Sequence, residues 1–155
     1  MNMKPAIRAA GLADAPALVD LLRQLGYPDT APFIERRITE LAADPDALLL
    51  VAEVGGVVLG FISLHFAAQL ARAGDFCRID YLCVEERARS FGIGAALEAQ
   101  AVAAARQRGC ARIELHSHQR RVGAHRFYAR LGYEESPKYL MKPLPNPDTG
   151  SGVDR

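Results

Sequence analysis

The residues best suited to chemistry stand together in Val84-Glu85-Glu86-Arg87-Ala88-Arg89-Ser90-Phe91-Gly92-Ile93-Gly94-Ala95-Ala96-Leu97. An apolar, strand-like run from Ile79 to Val84 leads into a basic loop, two glycines one residue apart, and a long alanine-rich helix. Glycine at 92 and 94 lets the backbone approach a ligand with no Cβ in the way. The helix start that follows aims unpaired N–H groups and the positive end of its dipole at that ligand. Arg87 and Arg89 add full charges. Such a segment suits a phosphate or pyrophosphate, although close helix–sheet packing is another use for the same glycines. Two phosphate motifs are excluded. No Lys-Ser or Lys-Thr follows the glycines, so this is not a P-loop, and the third glycine of a dinucleotide fingerprint would fall at Leu97.

About thirty residues on comes Ala124-His125-Arg126-Phe127-Tyr128-Ala129-Arg130-Leu131-Gly132-Tyr133. Ala124, Phe127, Tyr128 and Leu131 recur at the spacing of one helix face, and Gly132 reads as its C-terminal cap. Taken alone this is an amphipathic helix with Tyr128 as a core aromatic. The order of elements changes that reading. A strand, an Arg-x-x-Gly-x-Gly helix, a second strand (Arg112 to Ser117) and a helix carrying Phe-Tyr-x-x-x-Gly-Tyr resemble the GNAT superfamily of N-acetyltransferases.

The resemblance runs from Ile7 to about Leu144. It implies an α/β fold with a mixed, mostly antiparallel and splayed central sheet flanked by about four helices. It also implies acetyl-CoA as co-substrate. The loop Arg89, Ser90, Phe91, Gly92, Ile93, Gly94 and Ala95 would hold the coenzyme pyrophosphate through main-chain N–H groups. Leu82, Cys83 and Val84 would pair with pantetheine through their main chain, and Tyr128 would protonate the departing thiolate. Within the superfamily, Leu64-His65-Phe66, Ile79-Asp80-Tyr81-Leu82, Arg121 and Ala124 to Tyr128 with Gly132-Tyr133-Glu134 are similar to the aminoalkylphosphonate and other small-amine acetyltransferases. Many members carry Asn three residues before Ala124, where this chain has Arg121.

Acetyl transfer to an amine makes three demands. With an amine pKa near ~10.4, only about one molecule in a thousand is neutral at pH 7.4, so a proton must be removed. The carbonyl oxygen must be stabilised as it gains charge, here by a main-chain N–H of the splayed strand. The thiolate then needs a proton. Asp80, acting through water, is the expected base; a surface or salt-bridged Asp is its other reading. Glu114, His116 and His118 share a strand face and are alternatives. His116-x-His118 with His65 also has the composition of a metal site, but polar lining is the reading adopted and no metal is expected. Arg72, Arg78, Arg120 and Arg121 are the cations that could hold an anionic acceptor, with a solvated surface as the alternative for each.

These residues need elements to position them. A short strand at Ile7 precedes a helix from Asp14 to Leu25, capped by Asp14, with Leu18, Leu21, Leu22 and Leu25 on its apolar face. Thr30 and Pro32 open a second helix in which Ile34, Ile38 and Leu41 repeat, and Asp44-Pro45-Asp46 ends it. Leu48 to Val54 and Val57 to Phe66 flank Gly55-Gly56 as a hairpin. Ala95 to Arg108 is the long helix, with Leu97, Ala101, Ala104 and Ala105 toward the sheet. A last strand is expected from Lys138 to Leu144. In relatives the stretches matching Leu25 to Phe33 and Ala67 to Phe76 shape the acceptor pocket.

At 155 residues the chain suggests one domain, 1–144, with 145–155 as a flexible tail. A chain of about this size buries roughly 68–70% of its unfolded surface and needs no staple. A net charge of +1 argues against nucleic acid or an anionic membrane as partner. No signal peptide or membrane-spanning run is present, so a cytoplasmic location is the default expectation. The three cysteines, Cys77, Cys83 and Cys110, form no Cys-x-x-Cys pair and fit a reducing compartment. Cys83 reads as a small core residue, and an acetyl-cysteine intermediate is disfavoured. The reading is direct acetyl transfer to the primary amine of a small molecule, in a chain for which a homodimer is plausible. A protein or peptide acetyltransferase and a non-catalytic acyl-CoA sensor are the rivals.

Overall fold

Gly55 and Gly56 both take positive φ, +58° and +81°, as a two-residue turn of the kind that matches strand twist requires. They join strands β2 (Ala47–Val54) and β3 (Val57–Ala67). The computed structural model describes residues 4–116, 122–135 and 140–145. Around this hairpin stand β1 (Ala6–Ala9), β4 (Phe76–Val84) and β5 (Arg112–Leu115), giving a sheet in the order β1-β2-β3-β4-β5. The first four strands run antiparallel and β5 lies parallel to β4. The helices are α1 (Ala15–Leu25), α2 (Ile34–Ala43), α3 (Ile93–Gln107) and α4 (Val122–Arg130). The chain divides into two compact units, 1–115 and 116–155. Among the described residues no helix is long and apolar enough to cross a membrane.

Leu18 and Leu21 of α1 and Ile34 and Ile38 of α2 are buried against Val51, Phe61 and Cys83 on one face of the sheet. Burying each such aliphatic side chain contributes about 1.5–3 kcal/mol. Leu97, Ala101 and Ala105 of α3 are also buried, as the sequence spacing predicts, whereas Ala104 is only half-buried and Ile93, ahead of the expected helix start, is buried too. The small alanines suit close approach. A Cβ at Gly60 of β3 would stand 3.0 Å from the Cys83 carbonyl oxygen and 3.2 Å from Leu97 Cδ1. Glu98 is buried on the same helix, which no sequence pattern indicated.

Four boundaries differ from expectation. Asp14 precedes α1, but its carboxylate does not cap the helix. It accepts from both Arg8 Nη atoms and from the Gly11 N–H, each at 2.8 Å, and so ties β1 to the helix start. The second helix begins at Ile34, because the Thr30 carbonyl first closes a turn onto the N–H groups of Phe33 and Ile34. The third begins two residues early, since Gly92 absorbs the sharp turn with φ +87°. Residues 140–145 form no strand, and the chemistry explains it: Pro143 and Pro145 have no N–H to give, and Leu140 and Leu144 stay exposed. Residues 138 and 139 of that expected strand lie outside the described residues.

Candidate active site

The register of β3 against β4 slips once. Ser63 faces Tyr81 and Leu64 faces Ile79, so Asp80 is the extra residue of a β-bulge. A bulge re-aims a side chain, and here it turns Asp80 toward its neighbours on β3 and β4. The Asp80 carboxylate bonds His65 Nδ1 through Oδ2 and accepts from Arg78 Nε through Oδ1 at 3.1 Å. Asp80 is mostly sheltered, its side chain 18% exposed, whereas those of His65 and Arg78 are 37% and 45% exposed. Asp44, the residue that ends α2, places Oδ2 3.9 Å from His65 Nε2. One residue of the expected acceptor region, Tyr27, meets β4. Tyr27, after α1, stacks edge-on against Tyr81 of β4 with ring centres 5.5 Å apart.

Beyond Ile79, β4 runs without β5. The two strands pair only from Phe76↔Arg112 to Ile79↔Leu115, while pairing to β3 continues to Val84. Among the described residues, the edge of β4 from Asp80 to Val84 carries no β5 partner on that side. Of the three residues expected to use it, Leu82 and Val84 are half-buried and Cys83 is buried, its thiol pointing at the Leu21 carbonyl oxygen 3.3 Å away. The Val84 carbonyl already accepts from Arg89 Nε at 3.2 Å.

The loop into α3 has the backbone that anion binding needs. Ser90 and Gly92 both have positive φ, +72° and +87°. The first hydrogen bond into the helix is Ala96 N–H to the Gly92 carbonyl, 3.0 Å, so the N–H groups of Ile93, Gly94 and Ala95 precede it without an intrahelical acceptor. Arg89, Ser90 and Ala95 are exposed, Phe91, Gly92 and Gly94 half-buried, and the Ile93 side chain is committed to the core. An open cleft of about 570 Å³ adjoins Gly92 and Ala96 and has Lys4 on its wall. Glu86 N–H donates to Gln24 Oε1 at 2.9 Å, fixing this loop to α1.

In the second unit, Ala124, Phe127, Tyr128 and Leu131 are the sheltered positions of α4 and the turn after it, as the spacing predicts. Tyr128 packs edge-on between Phe127 and Tyr133, at 5.2 and 5.4 Å. His116 is exposed, and Glu114 pairs with Arg112 at 3.3 Å. His118, Arg120 and Arg121 lie outside the described residues. Among those described, no three His, Cys, Asp or Glu side chains are grouped to hold a metal ion.

Residues 16–133 match the model of the acetyltransferase (GNAT) family. The chain belongs to that family. It is an N-acetyltransferase, and the family generally uses acetyl-CoA as co-substrate. The aminoalkylphosphonate N-acetyltransferase of Salmonella typhimurium is 40% identical over 101 residues, 65% of this chain and just under two thirds (66%) of that protein. The aminoglycoside N(6')-acetyltransferase type 1 of Stenotrophomonas maltophilia is 28% identical over 145 residues, 90% of this chain and 94% of that one. A crystal structure of a protein described as a transcriptional regulator, from Bacillus halodurans C-125, matches with TM-score 0.83 at 28% identity, covering 91% of this chain and 100% of that one. Sequence reasoning found Asp80 but not its bonds to His65 and Arg78. The signal was there in part: His65 and Arg78 lie on adjacent strands, but only the bulge decides that they share Asp80.

Proposed function

We propose that this acetyltransferase moves the acetyl group of acetyl-CoA to the primary amine of a small molecule by direct attack in a ternary complex. The observation that carries this reading is the bulge at Asp80. It sets a sheltered carboxylate, an imidazole and a guanidinium side by side, where the pairing of β4 with β5 ends. The amine nitrogen forms a bond to the thioester carbon as the C–S bond breaks. The amine's proton leaves into the polar cluster around Asp80, a main-chain N–H of Leu82 to Val84 stabilises the oxyanion, and Tyr128 gives its phenolic proton to the thiolate. The loop Arg89 to Ala95 holds the pyrophosphate on main-chain N–H groups, with Arg89 and Lys4 as the nearby positive charges.

The acceptor is proposed to carry an anionic group a short distance from its amine. Arg78 supports this: its Nε is engaged by Asp80, and its fork-shaped end is suited to a planar or tetrahedral anion. The name of the Salmonella relative points to the same class, an aminoalkylphosphonate. The test is thiol release from acetyl-CoA with aminoalkylphosphonates, polyamines, aminoglycosides and short peptides as acceptors. Turnover is expected with aminoalkylphosphonates, and Tyr128→Phe should lower kcat roughly 100-fold with acetyl-CoA binding unchanged. Turnover confined to peptides would replace the small-molecule reading with that of a protein acetyltransferase.

A further inference from the structure

The polar cluster holds more than a base needs. Both oxygens of Asp80 are occupied, Oδ2 by His65 Nδ1 and Oδ1 by Arg78 Nε. A carboxylate bonded twice in this way is better placed to orient than to receive a proton. Its effect on His65 follows from the bond itself. With Nδ1–H donating to Asp80, the neutral ring carries its lone pair on Nε2. That nitrogen belongs to a half-exposed side chain. It faces Asp44 Oδ2 at 3.9 Å, too long for a hydrogen bond and close enough for an ion pair once the ring is charged.

We infer that His65 is the proton acceptor of the reaction, that Asp80 positions it, and that Asp44 stabilises the imidazolium. The inference rests on the small-amine reading above. The proton passes from the ammonium of the acceptor to His65 Nε2, directly or through one water, which leaves a neutral amine to attack. The imidazolium then returns that proton to solvent on its exposed side, and the second proton, which the nitrogen sheds as the amide forms, replaces through solvent the one that Tyr128 gives to the thiolate. Among the described residues, the charged groups facing this ring are Asp80 and Arg78 on β4 and Asp44 after α2. Asp46 follows in the same turn, where it is bound by Arg108.

The experiment is the pH profile of kcat/KM for wild type, His65→Asn, Asp80→Asn and Asp44→Asn, with acetyl-CoA binding measured by calorimetry for each. His65→Asn is chosen because its amide can still donate to Asp80. Its kcat is expected to fall about 100-fold with acetyl-CoA affinity unchanged, and the deficit should narrow toward pH 10 as the free amine deprotonates unaided. Asp44→Asn should lower kcat/KM by less than His65→Asn does, with acetyl-CoA affinity unchanged, because the charged ring loses the carboxylate that faces it. If His65→Asn keeps activity within threefold at every pH while Asp80→Asn abolishes it, Asp80 takes the proton itself and the inference is overturned. Should His65→Asn lose acetyl-CoA binding, His65→Gln replaces it under the same criteria. A wild type that binds acetyl-CoA but acetylates no small amine overturns the activity reading and the relay together, and that is read before any variant is compared.

Discussion

At the scale of single residues, the loop at Ser90 and the three cysteines give the sharpest expectations. Ser90 is held at φ +72°, a region that costs a non-glycine residue about 1–2 kcal/mol. The use proposed for this loop is to present main-chain N–H groups to the coenzyme. Ser90→Gly is therefore expected to raise stability by about 1 kcal/mol and leave acetyl-CoA affinity intact. Ser90→Val should weaken both. A loss of affinity in Ser90→Gly would show instead that the hydroxyl itself touches the coenzyme. The cysteines bear on the direct-attack mechanism. Cys77 is fully buried and its thiol is pushed up to about 12, mainly by that burial and then by nearby Cys110 and Asp80. Burial and Asp75 also raise Cys110, and Cys83 is buried with its thiol on the Leu21 carbonyl. Neither Cys77 nor Cys110 is a thiolate at neutral pH. Iodoacetamide at pH 7.5 should leave activity unchanged; inactivation that acetyl-CoA prevents would revive an acetyl-cysteine intermediate.

At the scale of elements, the start of β4 against β5 is a tightly packed joint. Ala111 N–H donates to the Asp75 carbonyl at 2.7 Å, which sets the two strands in parallel. Gly74 stands where the chain crosses, and a Cβ there would lie 2.5 Å from the Gly109 carbonyl oxygen and 2.9 Å from Ala111 N. Both contacts are backbone, so no rotamer relieves them. Gly74→Ala should cost about 3 kcal/mol, a fall in Tm of roughly 10 °C. Gly60→Ala, whose tightest contact is 3.0 Å, should cost less. A Gly74→Ala variant as stable as wild type would mean that this crossing can relax. Much of this element plan is legible in the sequence. Gly55-Gly56 declares the hairpin, the leucines of α1 declare their face, and Arg-x-x-Gly-x-Gly declares the loop. The bulge at Asp80 is not legible, because it is a property of two strands in register. Nor is the use of Asp14: a residue type favoured at helix caps is drawn away by Arg8 of the preceding strand. Periodicity and cap preference are read along one element, whereas the bulge depends on a partner strand and the Asp14 bonds on how the chain turns from β1 into α1.

At the scale of the molecule, the first unit holds its candidate acceptor face by fixing α1 at both ends. Asp14 and Arg8 anchor its start to β1, Gln24 anchors its end to the loop after β4, and Tyr27 follows to meet Tyr81. The start is the pH-sensitive anchor. The Arg8 guanidinium holds the Asp14 carboxyl below the ordinary carboxylate range, against the opposing effect of burial, and the Gly11 N–H adds to it. A carboxyl whose folded pKa is depressed contributes stability that is complete above its unfolded pKa, about 3.9. That contribution is lost as pH falls through the folded value. Charge-assisted bonds of this kind are worth roughly 1.5–3 kcal/mol. Asp14→Asn is thus expected to lower the unfolding free energy by about 2 kcal/mol at pH 7. The gap from wild type should stay constant down to about pH 4 and close below it, as wild type loses what the variant never had. Urea unfolding of both proteins from pH 7 to pH 2 checks this. A gap that persists at pH 2 would assign the loss to packing rather than charge. If the gap closes as expected while Tyr27→Ala impairs acceptor binding at pH 7 without moving the unfolding midpoint, α1 is held by Asp14 and used through Tyr27, which separates what stabilises this face from what it recognises.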